Sequence, residues 1–336
     1  MFFLLPFMKQ NMKQKQFEDI VFLIKQSQFN AIKLVNAELI SLYWNVGKYI
    51  GERIEKSEWG QSVVKELADY LSLKNSDLKG FSDKNLWRMK QFYETYKNYP
   101  ELLSLLKEIS WTNNLIILSR TKSMKEKEFY LLLSGREKYS SRELERQISS
   151  SIFERTMIGN MTLPPSVKAL NSDITNYFKD SYVFEFLGLP VSYSEDELKK
   201  GLIHQLKNFM LEFGKDFLFV GEEYKIQVGS GDFFVDLVFF HRGLRCLVAM
   251  ELKSDKFKPE HLGQLNFYLE ALDRDIKKPD ENPSIGILLC SDKDNDVVEY
   301  ALNRTLSPAM VSEYKTQLPD KKLLQQKLRE LFGSED

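Results

Sequence analysis

The sequence predicts a two-domain protein of the α+β and α/β classes, with an all-helical front domain followed by a mixed sheet flanked by helices. Its 336 residues suffice for roughly two domains, and 43% hydrophobic residues indicate a globular chain with a core rather than a disordered one. Helical periodicity dominates up to about residue 155, whereas strand-like runs separated by glycine-containing turns appear after residue 216.

The front half is predicted to be a series of amphipathic helices, with a minor hairpin as an open alternative. Ser82 is suited to be the N-cap of one helix, and Pro100 follows its end. Apolar residues recur at three- and four-residue steps in the first helix, at Ile20, Val21, Ile24, Ile32, Val35, Leu39, Leu42, Val46 and Ile50. The predicted helices cover residues 17–56, 62–73, 83–96, 113–120, 123–134 and 141–155.

A proline-containing segment, Thr-Leu-Pro-Pro-Ser at 162–166, marks the domain boundary. We therefore predict a front domain at 1–160, a linker with a connecting helix near 166–179 within 161–190, and a second domain at 191–336. In the second domain, Ser194 is predicted to cap a helix ending near Phe213. The elements after it are strands at 217–228, 232–240 and 245–253, a helix at 259–271, a strand at 284–290, a helix at 294–304, a strand at 309–314 and a helix at 321–331.

Charge is distributed unevenly along the chain, although the net charge is −1. Basic residues outnumber acidic ones in residues 1–160, and acidic residues are in excess after that point. This division suits a front domain that contacts phosphates and a second domain that gathers carboxylates around a cation, with ordinary surface charge as the alternative.

The cysteine content and the N-terminus both favour a cytoplasmic protein. Cys246 and Cys290 each lie in an apolar run, so we expect two buried free thiols, as in a reducing compartment. The apolar run at residues 1–8 is too short for a membrane helix and follows no basic residue, which argues against a span or a signal peptide. Polar residues follow it at once, so Met8 and Met12 are alternative starts.

Three charged residues interrupt two strongly apolar strands of the second domain. Asp236 lies among Val235, Leu237 and Val238, and the next strand contains Glu251 and Lys253. Glu251 and Lys253 are two residues apart and share a face, and the hairpin can bring Asp236 beside them.

This trio suits phosphodiester hydrolysis. Two carboxylates bind a hard cation such as Mg²⁺ or Mn²⁺, to which the Leu252 carbonyl can add a ligand, and a lysine orients water or stabilises developing negative charge. A buried salt bridge between Asp236, Glu251 and Lys253 is the structural alternative.

Asp236 followed by Glu251-Leu-Lys253 resembles the PD-(D/E)XK nuclease motif. The wider stretches 231–242, 251–260 and 263–268 are similar to the bacterial YhcG family, which joins such a domain to a helical domain of unknown function. The front half is similar too, at 42–47, 59–60, 80–86 and 142–148, although it departs from the family pattern at 109–113 and at Tyr139-Ser140. The resemblance implies a restriction-endonuclease-like fold.

The resemblance also implies residues that flank the trio. Glu197 is our first choice for a glutamate on the helix before the sheet and Glu195 the second, with a solvated helix start as the alternative. Gln264 and Tyr268 are four residues apart on one helix face and match a Gln-x-x-x-Tyr pattern, in which Gln264 approaches the site or binds DNA. Tyr268 is alternatively a packing residue.

The leading hypothesis is a metal-dependent endonuclease or exonuclease that acts on DNA, with RNA as the alternative substrate, in repair, recombination or defence. The competing hypothesis is a catalytically silent nucleic-acid-binding or assembly module on the same fold. Self-association through the front domain is part of that alternative, because its aromatic residues suit either a core or an interface. These residues are Tyr43, Trp44, Trp59, Trp87 and Trp111. We also expect His241 at the surface, at a hairpin tip.

Overall fold

The computed structural model describes residues 4–56, 59–75, 77–159, 163–164, 167, 177–303 and 305–332. The chain forms two compact units, Met1–Leu144 and Glu145–Asp336. The division predicted at 1–160, 161–190 and 191–336 stays a prediction. Most of the connecting helix predicted near 166–179 lies outside the described residues. No described helix combines the length and apolar character needed to cross a membrane.

Along residues 4–158 the regular structure of the described chain is helical, so the minor hairpin of the alternative prediction is not found there. The predicted helices are confirmed, and the first begins well before residue 17. One helix predicted at 141–155 is divided in two at Ser151, whose backbone is left-handed. The helices are α1 (Leu4–Glu55), α2 (Gln61–Lys74), α3 (Asp83–Tyr96), α4 (Leu103–Glu108), α5 (Trp111–Arg120), α6 (Met124–Glu137), α7 (Ser141–Ser149) and α8 (Ile152–Ile158).

The C-terminal half of α1 packs against α3 in the first unit. Gly47 makes the contact possible, because a Cβ there would lie 2.0 Å from the Met89 carbonyl oxygen. Buried apolar residues on both sides of this contact form the core of the unit, with Trp59, Trp87 and Trp111 packed against it. This packing favours the core interpretation of the front-domain aromatic residues. The core residues are Tyr43, Ile50, Val64, Leu86 and Met89.

Hydrogen bonds in the first unit involve the two stretches that depart from the family pattern, 109–113 and Tyr139-Ser140. The Trp111 Nε1 donates to Asn85 Oδ1 at 3.0 Å. The Asn113 amide donates to the Tyr139 carbonyl at 2.8 Å and accepts from the Ser141 hydroxyl at 2.9 Å. Asn113 is buried, so these bonds satisfy an amide that would otherwise be costly to remove from water. These hydrogen bonds therefore give Asn85, Trp111 and Asn113 a structural role in the first unit.

The second unit is built on a sheet with the order β1-β6-β5-β4-β3-β2. Strands β2, β3 and β4 are antiparallel, whereas β4, β5, β6 and β1 are parallel. The predicted strands are confirmed within a residue or two, and β1 was not predicted. The strands are β1 (Ser181–Val183), β2 (Phe217–Val228), β3 (Gly231–His241), β4 (Cys246–Leu252), β5 (Ile285–Cys290) and β6 (Ala309–Lys315).

Helices cover both faces of this sheet. One apolar layer contains Leu198 and Phe209, and the other contains Leu265 and Val298. Two layers on opposite faces bury β4 and β5 completely, so the predicted mixed sheet flanked by helices is confirmed. The helices are α9 (Glu195–His204), α10 (Leu206–Phe213), α11 (His261–Ala271), α12 (Asn295–Leu302) and α13 (Lys321–Phe332).

Two sequence predictions for the second unit were wrong. The single helix expected from Glu195 to Phe213 is broken at Gln205, whose φ of −103° and ψ of 29° leave the helical region. His241 is buried rather than at the surface. It lies at the end of β3, where its Nδ1 accepts the Leu244 N–H at 3.0 Å and its ring packs against Phe217. Cys246 and Cys290 are buried free thiols, as expected.

Candidate active site

Asp236 and Glu251 meet where β3 and β4 stop pairing. The last registered pair of the two antiparallel strands is Leu237 with Met250, and Asp236 and Glu251 are the next residues on each strand. Asp236 is tied to the partner strand, because its Oδ2 accepts the backbone N–H of Leu252 at 2.9 Å. The predicted approach of Asp236 to Glu251 therefore follows from the hairpin register. For Leu252, the described contact uses the backbone N–H, and metal binding by its carbonyl stays a prediction.

The Glu251 carboxylate is almost completely buried, with its side chain 4% exposed. One oxygen, Oε1, accepts from the Lys253 Nζ at 3.0 Å. The other, Oε2, is buried and has no hydrogen-bond partner among the residues described. Burial and, after it, the negative charge of Asp236 raise the pKa of Glu251 to about 7, although Lys253 opposes the shift. A buried carboxylate with a raised pKa and one oxygen without a described partner is suited to bind an additional cation.

Lys253 connects the sheet with α9. Its Nζ lies 3.0 Å from Glu251 Oε1 and 3.5 Å from Glu195 Oε2. Burial alone would lower the pKa of Lys253, but the charges of Glu251 and Glu195 outweigh burial and raise it. The backbone carbonyl of Lys253 accepts from the Tyr314 hydroxyl at 3.2 Å, which fixes the strand end. The lysine is therefore a charged group held between two carboxylates.

The start of α9 places the two candidate glutamates differently. Glu195, the second choice, is the one that reaches Lys253. Glu197, the first choice, forms a capping box with Ser194: its Oε2 accepts the Ser194 N–H at 2.8 Å, while the Ser194 hydroxyl accepts the Glu197 N–H. These contacts satisfy the helix N-terminus. A catalytic role for Glu197 stays a prediction, and its carboxylate points to the cap in the described structure.

Lys199 is a site residue that the sequence reasoning missed. Its Nζ lies 3.2 Å from Asp236 Oδ1 and is also paired with Glu223. Burial alone would lower the pKa of Lys199, but the hydrogen bond that it donates to Glu223 and the charge of Asp236 raise it. The available signal was spacing: Lys199 follows Glu195 by four residues and so lies on the same helix face.

Gln264 and Tyr268 on α11 form the expected pair. The Gln264 amide donates to the Tyr268 hydroxyl at 2.7 Å. Burial raises the pKa of Tyr268, the hydrogen bond from Gln264 opposes that shift, and the charges of Glu251 and Asp236 add to it. Gln264 is exposed and Tyr268 is buried. The helix thus presents an exposed Gln264 amide that is bound to the Tyr268 hydroxyl, while the ring of Tyr268 packs in the apolar layer.

Comparison with protein families accounts for both units of the chain. Residues 175–329 match the YhcG PDDEXK nuclease domain, and residues 19–155 match the DUF1016 N-terminal domain. An Escherichia coli (strain K12) protein named "Putative nuclease YhcG" is 31% identical over 94% of this chain and 93% of its own length. The chain belongs to the YhcG family.

Two solved structures also resemble the second part of this YhcG-family protein. One is the "crystal structure of a repair endonuclease from Pyrococcus abyssi", 17% identical over 39% of this chain and 50% of that chain, with a TM-score of 0.26. The other is the "Structure of EndoMS-dsDNA2 complex", 18% identical over 40% of this chain and 48% of that chain, with a TM-score of 0.26. The chain therefore spans about half the length of these two structures.

The donor set of this YhcG-family site fits a hard divalent cation. The part of the chain that the structure describes contains no cluster of three or more acidic, histidine or cysteine side chains suited to a metal. Two protein carboxylates are nevertheless sufficient for Mg²⁺, which usually keeps several waters and binds few protein oxygens. The buried Oε2 of Glu251, which has no hydrogen-bond partner among the described residues, is the observation that supports the fit.

Proposed function

We propose that this YhcG-family protein is a Mg²⁺- or Mn²⁺-dependent nuclease that hydrolyses phosphodiester bonds in DNA, in repair, recombination or defence. The observation that carries the proposal is the buried Glu251: its Oε2 has no hydrogen-bond partner among the described residues, its Oε1 accepts from Lys253, and the charge of Asp236 acts on it. Burying two carboxylates side by side is unfavourable unless a cation neutralises them. RNA is the alternative substrate.

Each side chain has a role in this proposal. Asp236 and Glu251 hold the cation, which supplies charge neutralisation and an activated water when bound. Lys253 orients that water or stabilises the negative charge that develops on the phosphate, since its ammonium is fixed between Glu251 and Glu195. Glu195 positions Lys253, and the exposed Gln264 amide contacts the nucleic acid.

The test is cleavage by the purified full chain of linear duplex, single-stranded and branched DNA and of RNA, with Mg²⁺ or Mn²⁺ and with a chelator. We expect metal-dependent cleavage of DNA. Asp236→Asn, Glu251→Gln and Lys253→Met should each lower the rate by about a hundredfold or more, because each removes a charge aligned with the reacting phosphate.

Asp232→Asn is the matched control for these variants. Asp232 lies on the same strand, four residues before Asp236, and its carboxylate is paired with Lys225 at the surface. The control should cleave like the unaltered protein. Undiminished cleavage by the site variants would remove the assignment of the site. Salt-sensitive DNA binding without metal-dependent turnover would favour the silent binding module instead.

An assembly role for the front domain has one specific observation in its favour. Between residues 17 and 35, α1 exposes large apolar side chains, among them Phe17 at 64% and Val35 at 69%. Exposed apolar surface of this kind is typical of a protein contact. We propose self-association through this segment of a cytoplasmic protein. Light scattering should give a mass above that of one chain, which Ile24→Asp and Val35→Asp lower; an unchanged mass would argue against it.

A further inference from the structure

Lys199 binds one oxygen of the Asp236 carboxylate, which the proposed function assigns to a metal. Its Nζ lies 3.2 Å from Asp236 Oδ1, and the Lys199 side chain is only 17% exposed. The other oxygen, Oδ2, accepts the Leu252 N–H at 2.9 Å. Both oxygens of Asp236 therefore have protein donors, whereas Glu251 keeps Oε2 without one among the described side chains.

A divalent cation shared by Asp236 and Glu251 has to approach the oxygen that faces Lys199. Oδ2 is the less available oxygen, because the Leu252 N–H belongs to the strand and cannot move away without disturbing β4. An ammonium and a divalent cation on the same oxygen repel each other strongly in a half-buried site. Lys199 is a flexible side chain, so it is the group that can move.

A second carboxylate already binds the Lys199 ammonium and can hold it away from Asp236. Glu223 on β2 is paired with Lys199, and its side chain is 51% exposed. The Glu223 backbone has a φ of 45°, a left-handed conformation that is uncommon for a non-glycine residue, at a point where the β2–β3 register skips the pair 223 and 236. Lys199 can thus leave Asp236 without losing its remaining ion pair.

From this geometry we infer that Lys199 is an internal counter-ion that neutralises Asp236 in the metal-free protein and leaves Asp236, while keeping its ion pair with Glu223, when a divalent cation binds. Lys199 is a positioning residue here, since it acts on the metal site through Asp236. The inference rests on the proposed metal-dependent function. Lys199 in this role weakens metal affinity and keeps the Asp236 carboxylate in place while the metal is absent.

Calorimetric titration of the full chain with Mn²⁺ tests this inference without measuring cleavage. Lys199→Met should bind Mn²⁺ about tenfold more tightly than the unaltered protein, because the competing cation is gone. Lys199→Arg, which keeps the positive charge, should restore the weaker affinity. Lys200→Met is the matched control, since Lys200 is on the same helix and pairs with the exposed Asp196 instead. It should leave Mn²⁺ affinity close to that of the unaltered protein.

Glu223→Gln provides a second, opposite measurement. Without its carboxylate, Lys199 has Asp236 as its remaining described partner, so Mn²⁺ should bind more weakly. In the Lys199→Met background the same substitution should have a much smaller effect, because the two residues act as a unit. Equal effects in both backgrounds would show that Glu223 does not hold the ammonium away from Asp236 and would overturn the proposed movement.

The remaining outcomes separate this inference from the proposed function. If the unaltered protein and Lys199→Met bind Mn²⁺ equally, and Asp236→Asn abolishes binding in both, the metal site stands and the counter-ion role is overturned. If neither protein binds Mn²⁺, the metal-dependent function and the inference both fail. Circular dichroism and thermal unfolding of each variant confirm that the affinities compare folded proteins.

Discussion

Glu251 and Lys253 form a close ion pair on one strand end, with 3.0 Å between Oε1 and Nζ, yet this contact does not keep the Glu251 pKa low. Burial and the charge of Asp236 outweigh the lysine and raise that pKa to about 7. Glu195, which also contacts Lys253, adds a further rise through its own negative charge. The site therefore contains more negative charge than its lysines neutralise, as a cation-binding site requires.

Metal binding should depend on pH through Glu251. A proton on this carboxylate competes with the metal, so Mn²⁺ affinity should rise as the pH increases to about 7 and level off above it. Titration calorimetry at a series of pH values in the full chain measures this dependence. Asp232→Asn, at the surface ion pair with Lys225, should show the same profile. A Mn²⁺ affinity that stays constant across neutral pH would contradict the raised pKa.

Glu251→Gln should stabilise the second unit when no metal is present. The folded pKa of Glu251 is raised, so the folded protein holds the proton more tightly, and stability falls as pH rises from the unfolded pKa near 4.5 to about 7. Above that range the glutamine variant should be more stable by about 2 kcal/mol, and at low pH the difference should vanish.

Urea unfolding with a chelator, followed by far-ultraviolet circular dichroism, measures the effect of Glu251→Gln. The four tryptophans, Trp44, Trp59, Trp87 and Trp111, lie in the first unit and provide an internal reference. Their fluorescence transition should be the same in both proteins. A glutamine variant that is less stable than the unaltered protein above neutral pH would mean that the Lys253 ion pair outweighs the burial of the charge.

The sequence allowed the prediction of Asp236, Glu251 and Lys253 because charged residues rarely interrupt strands that are otherwise apolar. Strand alternation and the hairpin order then determined which of them meet. The N-cap at Ser194 was predicted, but its capping box was not, although a serine followed three residues later by glutamate is the signature of one. That signature distinguishes Glu197, which caps the helix, from Glu195, which contacts Lys253.

Other features depend on tertiary contacts that no local sequence pattern indicates. Strand β1 has three residues, too few for an alternating pattern, and exists because it pairs with β6. The helix break at Gln205 has no glycine or proline to indicate it. His241 was expected at a hairpin tip, but aromatic residues from distant parts of the second unit cover it.

Glu212 should be essential for the stability of the second unit. It is completely buried on α10, with Arg146 Nη1 at 2.9 Å from its Oε2 and Arg155 Nη2 at 3.5 Å from its Oε1. Burial alone would raise the pKa of Glu212, but the charges of Lys179, Arg155 and Arg146 outweigh burial and lower it to about 2. Glu212→Gln should therefore lower the stability by about 3 kcal/mol at neutral pH, since it removes the described counter-ion of the buried Arg155 and leaves Arg146 with Glu185 alone.

The pH dependence of this cluster has the opposite sign to that of Glu251. The folded pKa of Glu212 is lowered, so its contribution is present above the unfolded pKa near 4.5 and is lost as pH falls towards 2. Hydrogen exchange of peptides from β1 and α10, compared at neutral and acidic pH, follows this loss locally. Glu185→Gln is the control, because Glu185 also binds Arg146 but is partly exposed. An equal effect of both substitutions would count against the special role of the buried carboxylate.

Gly47 and Gly51 on α1 allow two matched substitutions that test how closely α1 and α3 pack in the first unit. Alanine usually stabilises a helix interior relative to glycine, but a Cβ at Gly47 would lie 2.0 Å from the Met89 carbonyl oxygen, so α1 and α3 would have to separate. Gly47→Ala should lower the stability of the first unit by about 3 kcal/mol.

At Gly51, one turn later, the nearest atom is in the Tyr93 ring at 3.7 Å, which is an ordinary contact. Gly51→Ala should therefore raise the stability by up to about 1 kcal/mol. Urea unfolding followed by tryptophan fluorescence measures both, and a Gly47→Ala variant as stable as Gly51→Ala would show that the two helices do not pack this closely.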